Sequence, residues 1–244
     1  MHSLASKSML TDDEKAFQET VRRFMKAEVE PLVPEMERIG RPTPGLLEKM
    51  GENGLLGTFL PEEYGGSGAS LMTRAIVAEE TARMCAGLDA TLFVNISLVA
   101  RHLNNYGTEE QKRKYLIPLI KGEASASICL TESKGGSDAL SPRTAGRKQG
   151  AEWVINGSKT FITNAPIADF FLVFTRTSGE DRRAQGGTCF IVDKGAAGLS
   201  VGQPFDKLCL RSSPTAEVFF SDVRVPESQV LGKVDEGFLS MLEG

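Results

Sequence analysis

The sequence predicts a multi-domain α+β chain: an N-terminal all-α helical domain over residues 1–122, a β-barrel or sandwich domain over 123–228, and the start of a further helix over 229–244. Three observations carry this. Up to Gly122, apolar residues recur at helical spacing behind capping boxes. After Gly122, short runs rich in Phe, Val, Ile and Thr alternate with Gly and Pro turns. From Gln229 the helical pattern returns, and Phe238, Leu239, Met241 and Leu242 read as the first turns of a helix with no stop signal after them, the mark of an interrupted element.

Thr11-Asp-Asp-Glu14 forms the first capping box, and Phe17, Val21 and Phe24 form the stripe behind it. Pro31 and Pro34 end or interrupt that helix. A short helix over 46–53 follows, then a glycine-rich loop, Pro61-Glu-Glu-Tyr-Gly-Gly-Ser-Gly68. Two helices are expected over 71–85 and 88–106, the second poor in charge and buried on most sides. Thr108-Glu-Glu-Gln111 is a second capping box, opening a helix that Gly122 stops. Strands are expected over 126–131, 153–155, 160–163, 170–175, 188–192, 199–201, 217–220 and 223–225. Asn156-Gly157, between two strand patterns, signals a hairpin.

Composition narrows the function classes. The chain has 244 residues, 41% hydrophobic and 25% charged, which is an ordinary globular balance. A net charge of −4 without a basic cluster argues against nucleic acid. No continuous apolar run approaches the roughly 20 residues of a membrane span, and the N-terminus is too polar for a secretory signal. Cys85, Cys129, Cys189 and Cys209 lie far apart with no Cys-x-x-Cys, so they read as reduced thiols. With only His2 and His102 present, a histidine triad or zinc site is not expected.

The stretch Ser127-Ile-Cys-Leu-Thr-Glu-Ser-Lys-Gly-Gly-Ser-Asp138 runs from an apolar strand through a hydroxyl, Thr131, into a Gly-Gly-Ser turn. Without Cβ atoms, Gly135 and Gly136 let a phosphate or a flat ring approach the main chain. In Trp153-Val-Ile-Asn-Gly-Ser-Lys-Thr-Phe-Ile-Thr-Asn164, alternation puts Phe161 and Thr163 on one strand face. Together they describe a site for a large planar cofactor that carries phosphates.

These two segments resemble the acyl-CoA dehydrogenase family. So do Leu60-Pro-Glu-Glu-Tyr-Gly-Gly-Ser-Gly68, Tyr106-Gly-Thr-Glu-Glu-Gln-Lys112 and, more weakly, Leu208-Cys-Leu-Arg-Ser-Ser-Pro-Thr-Ala-Glu217. The resemblance spans nearly the whole chain. It implies FAD between the β domain and the helices, oxidation of acyl-CoA thioesters to trans-2-enoyl-CoA as in β-oxidation, and electron transfer to an electron-transfer flavoprotein. It further implies a homotetramer in the full-length form, and a cytoplasmic location or, in a eukaryote, the mitochondrial matrix.

By motif position, Ile128, Cys129, Leu130, Thr131, Gly136 and Ser137 would line the flavin with Phe161, Ile162 and Thr163. Thr131 would meet the pyrimidine side of the ring, Phe161 would pack on its face, and Thr163 would bond near N5. Ser137 would stand where the FAD pyrophosphate and the substrate pantetheine pass. The resemblance places the general-base glutamate in a C-terminal helical domain beyond Gly244, so the chain is expected to be an N-terminal fragment or a split-gene product with little or no activity alone.

Each residue also has a plainer reading. Phe161 suits a core; Thr131 and Thr163 suit any strand; Gly135 and Gly136 suit any tight turn. Glu132 reads as structural, Asp138 as bracing the turn, and Arg211 as either a surface ion pair or a ligand contact. Ser133-Lys134 replaces the usual Pro and small residue, and Cys209 and Ser212 replace common glycines. Gly87, Leu88, Thr91, Leu92 and Asn95 are candidates for an acyl pocket. The alternatives are a flavin oxidase or monooxygenase of the same fold, or a non-catalytic subunit that needs a partner chain.

Overall fold

The computed structural model describes residues 10–178 and 186–243, with the side chains of 239, 242 and 243 left out. His2 and the N-terminal expectation lie outside the described residues. The first helix, α1 (Asp12–Phe24), starts at the expected box: the Glu14 amide donates to Thr11 Oγ1 at 3.2 Å and the Thr11 amide to Glu14 Oε2 at 2.8 Å. Pro31 and Pro34 interrupt the helix without ending it. The chain passes through a π-helical turn (Met25–Val29) and a 3₁₀ turn (Glu30–Leu32) into α2 (Val33–Ile39). Each proline sits at the start of its segment, where the missing N–H has no intrahelical partner to lose. Gly40, at φ 70°, closes α2.

After α3 (Leu46–Glu52) comes the long element expected as two helices. It is one continuous run: α4 (Leu71–Leu92), a π-helical stretch (Phe93–Ala100) and α5 (Arg101–Tyr106). The expected break survives as a kink at Cys85, whose φ of −150° and ψ of 97° are not helical. The 36-residue run Leu71–Tyr106 is long and apolar enough to cross a bilayer by length and composition, although half of its most apolar window is buried within the protein. A second box at Thr108 opens α6 (Glu109–Gln111). The chain continues through a π turn (Lys112–Leu116) to α7 (Ile117–Lys121), which ends at Gly122, φ 74°.

The second half is one mixed sheet. Its strands are β1 (Ala126–Cys129), β2 (Ala145–Gln149), β3 (Glu152–Thr163), β4 (Phe170–Arg176), β5 (Gly187–Asp193), β6 (Leu199–Val201), β7 (Thr215–Pro226) and β8 (Val230–Leu231). The order is β6-β7-β3-β2-β4-β5-β8, with β1 parallel to β4 off that path. Alternation along β4 divides the core in two. Phe170, Leu172 and Phe174 join the cluster shared with the helices, while Phe171 and Val173 join a second cluster with Trp153, Ile155, Val218 and Val223. The sheet thus curls round a core of its own and covers the helical layer with its other face.

Asn156-Gly157 is no hairpin turn. Both residues lie inside β3 at a register break against β7. Asn156 Nδ2 donates to Asp222 Oδ1 and the Asp222 amide donates to Asn156 Oδ1, each at 2.9 Å, so the pair staples two bulged strands. Gly157, at φ 143°, lies so near Thr144 that an added Cβ would fall 2.6 Å from its Cα. The actual hairpin joins β2 to β3 through Gly150. The polar segment Ala-Gly-Arg-Lys-Gln of β2 hid it, because that strand shows little apolar alternation. The expected strands 217–220 and 223–225 are one strand, β7, and β8 was not expected.

Helix α8 (Gly237–Glu243) docks on β5 and α5. Phe238 stacks on Phe174 at a centroid distance of 6.1 Å, directly over Gly187. His102 Nε2 lies 3.1 Å from Ser240 Oγ.

Candidate functional site

A cleft of about 510 Å³ opens between the helical layer and the sheet. Ile128, Leu130, Thr131, Phe161, Ile162 and Thr163 form its sheet wall. On β1, the period of two sends Ile128 toward the cleft and Cys129 into the sheet's own core. Burial pushes the Cys129 thiol up to about 12, so this side chain is an inert packing group and not part of the cleft.

Phe161 is the unusual residue. Simple alternation does not place it, since the register against β7 breaks between Lys159 and Ile162 and Phe161 takes φ 56°. An aromatic residue in the left-handed region costs about 1–3 kcal/mol. It is also 67% exposed, touching Phe205 at a centroid distance of 5.3 Å. Strain that presents an apolar ring to an open cleft points to a ligand surface. Thr163 is held from behind: Ser127 Oγ donates to its carbonyl at 2.9 Å. The next residue, Asn164 (φ 67°), donates through Nδ2 to Thr91 O, Asn95 Oδ1 and Ala126 O at 3.1–3.3 Å. This buried amide ties helix, β1 and the end of β3 together at the rim of the cleft.

Beyond Thr131 the chain turns, with Glu132 and Gly135 exchanging amide bonds of 3.2 and 3.1 Å. Gly136 and Ser137 are exposed on that turn and do not line the cleft. A Cβ on Gly136 would meet nothing within 4 Å, so its backbone is open to a ligand. Lys134 and Asp138 are exposed as well, and the Asp138 carbonyl accepts from the Ser141 amide at 3.4 Å.

Glu132 faces inward and is engaged structurally. It accepts from the Arg143 and Thr144 amides at 2.7 and 3.0 Å and from Lys159 Nζ at 2.9 Å. Burial acts to raise its carboxyl; the Lys159 charge and the amide donors outweigh that and leave it below the ordinary value. Lys159 has a side chain 0% exposed and also donates to Leu130 O at 3.0 Å. With Thr160 N donating to Thr131 O at 2.9 Å, this pair fixes the sheet wall of the cleft. Sequence reasoning passed over Lys159; its signal was a lysine two residues before the aromatic in an otherwise strand-like run.

Small residues on α4, Ala82, Ala86 and Ala90, form the helical wall with Asp89, Phe93 and Val94. Gly87, Leu88, Thr91, Leu92 and Asn95, the expected pocket residues, are buried on the other faces of the helix and do not line this cleft. Gly87 touches the loop after β6. Ser212 of that loop donates from its amide and hydroxyl to Glu37, and its Oγ lies 3.2 Å from Cys85 Sγ. This accounts for a serine at position 212. A Cβ at residue 87 would come within 2.1 Å of Ser212 Oγ. Gly87→Ala is therefore expected to cost about 1–3 kcal/mol of stability, as overpacked cores do, and urea unfolding followed by Trp153 fluorescence measures it. Arg211 pairs with Asp206 at 3.3 Å, both largely exposed, a contact worth little. Cys209 is exposed. Among the described residues no group of three His, Cys, Asp or Glu side chains is placed to hold a metal.

Residues 11–123 match the acyl-CoA dehydrogenase N-terminal domain and residues 127–223 the middle domain. The short-chain specific acyl-CoA dehydrogenase of Clostridium acetobutylicum is 38% identical over 229 residues, covering 94% of this chain and 60% of that protein. A glutaryl-CoA dehydrogenase from Mycobacterium smegmatis, solved in complex with FADH2, superposes with a TM-score of 0.89 at 30% identity, covering 98% of this chain and 60% of the other. A chain from a structure described as the electron transferring flavoprotein of Acidaminococcus fermentans, in work on flavin-based electron bifurcation, superposes at 0.90 with 36% identity, covering 96% of this chain and 61% of that one. The chain thus spans about 60% of the length of the relatives it matches. On the two domain matches, which together reach from α1 into β7, this chain belongs to the acyl-CoA dehydrogenase family.

Proposed function

We infer that the chain forms the flavin-holding part of an FAD-dependent acyl-CoA dehydrogenase, and the exposed, strained Phe161 ring on the cleft wall is the observation that carries this reading. The residues fit the group. A flavin needs an apolar wall, polar groups at the ring edge and open backbone near its phosphates. Phe161, Ile128 and Leu130 supply the wall, Thr131 and Thr163 the hydroxyls, and Gly136 with Ser137 the open backbone. When bound, FAD supplies the acceptor for a hydride.

The chain's own residues bind and orient. Phe161 supports the ring face. The Thr163 hydroxyl meets the ring edge from a backbone fixed by Ser127 and Asn164. The substrate proposed for the cleft is an acyl-CoA thioester, and the electron acceptor an electron-transfer flavoprotein; we place the chain within a homo-oligomer.

Of the carboxylates beside the cleft, Glu132 is locked to Lys159 and Asp89 is held through Oδ1 alone by Arg74 at 3.2 Å. The test is a titration of the chain with FAD, followed by flavin fluorescence. Saturable binding at one FAD per chain is expected, weakened roughly fivefold to tenfold in Phe161→Ala, as loss of an aromatic contact implies. No saturable binding to the unsubstituted chain would overturn the proposal.

A further inference from the structure

Asp89 is the one ionisable side chain among the described residues that line the cleft. It projects from α4 on the same face as Ala86, Ala90 and Phe93. The alanines leave room for a ligand beside it. Behind it stands Arg74, 7% exposed, which donates from Nη2 to Asp89 Oδ1 at 3.2 Å and from Nε to Ser97 Oγ at 3.0 Å. Among the described residues, nothing donates to Asp89 Oδ2, and the Asp89 side chain keeps 22% of its surface open. Burial raises the Asp89 carboxyl above its ordinary value, against the opposing pull of Arg74.

Packing a plain alkyl chain against such an oxygen strips its water and returns nothing. A chain that carries a hydrogen-bond donor returns what the water supplied, and a bond to a charged acceptor is among the stronger ones. We propose that Asp89 sets the acyl specificity of the cleft, favouring thioesters whose acyl chain bears a hydroxyl over unsubstituted chains of equal length. The inference rests on the reading of the cleft as an acyl-thioester site. Arg74 is its positioning residue: it takes Oδ1, fixes the carboxylate and leaves Oδ2 for the ligand.

Isothermal titration of the FAD-loaded chain with hexanoyl-CoA and with its 4-, 5- and 6-hydroxy derivatives tests it. At least one hydroxylated thioester is expected to bind roughly tenfold more tightly than hexanoyl-CoA, the ratio that a charge-assisted hydrogen bond supplies. Asp89→Leu alone strands a buried guanidinium and risks the fold. The double variant Arg74→Met/Asp89→Leu replaces the pair with apolar groups, a change that is often neutral. Its circular dichroism is expected to match that of the unsubstituted chain, and its preference to vanish or invert. Equal affinities for all four thioesters, or a preference that persists in the double variant, overturns the inference while leaving the site reading intact. Failure of every thioester to bind overturns both.

Discussion

Glu132→Gln is expected to destabilise the chain by about 3–5 kcal/mol, the cost of stranding one member of a buried ion pair. Lys159 is buried, and among the described residues Glu132 is the one carboxylate that pairs with it, 2.9 Å away. Its other contact, the Leu130 carbonyl, is a dipole and does not neutralise an ammonium. The glutamine preserves the shape, but the Arg143 and Thr144 amides donate to different carboxylate oxygens and it keeps an acceptor for only one of them, so the loss reads the charge together with one amide bond and not the volume. Urea unfolding measures it, and Trp153, the single tryptophan and a buried one, is the natural probe. Adding Lys159→Met should restore most of the loss, since the uncompensated charge is then gone. A loss below about 1 kcal/mol would show that the pair holds the 130–132 wall more loosely than its geometry implies.

Stability is also expected to fall as pH drops from 7 to 5, by about 2 kcal/mol from one residue. Burial first, and then the nearby Arg101 charge, push His102 down to about 4 from 6.5. Between those two values the unfolded chain takes up a proton that the folded chain refuses. Stability therefore rises with pH across this window and levels off above it. The geometry agrees, because the ring is packed against Phe174 and Tyr106 at centroid distances of 5.8 and 5.1 Å. Ser240 faces Nε2 on α8. His102→Gln keeps a polar group for Ser240 and cannot titrate. Subtracting its pH profile from that of the unsubstituted chain removes the contributions of carboxylates and of His2. Parallel profiles from pH 7 to 5 would show that His102 is protonated without strain.

Much of the fold was legible because its signals are local. Thr11 and Thr108 announce their helices by a bond made three residues away, and both boxes form. The run from Phe170 to Thr175 reads as a strand because nearly every residue is apolar, and it is buried on both faces. Where local signals were ambiguous, the reading went astray. Asn156-Gly157 favours a turn when isolated, yet Asp222 and Thr144 claim it for a bulge. The segment of β2 carries charge outward and therefore showed no pattern. For the cleft, the motif segments named Phe161, Thr131 and Thr163, all of which line it. They also named Cys129, whose side chain the strand's alternation turns away.

Local chemistry thus settles where helices begin, which runs are strands, and which short segment carries the aromatic and the hydroxyls of the site. Contacts between distant residues settle the rest. Lys159 finding Glu132, Asn164 reaching Thr91 and Ala126, and Asp89 rather than Leu88 facing the cleft all depend on which faces meet when the sheet folds over α4. A residue's side chain carries its own hydrophobicity and charge wherever it stands. Its partner, its exposure and its pKa belong to the neighbours that packing brings to it.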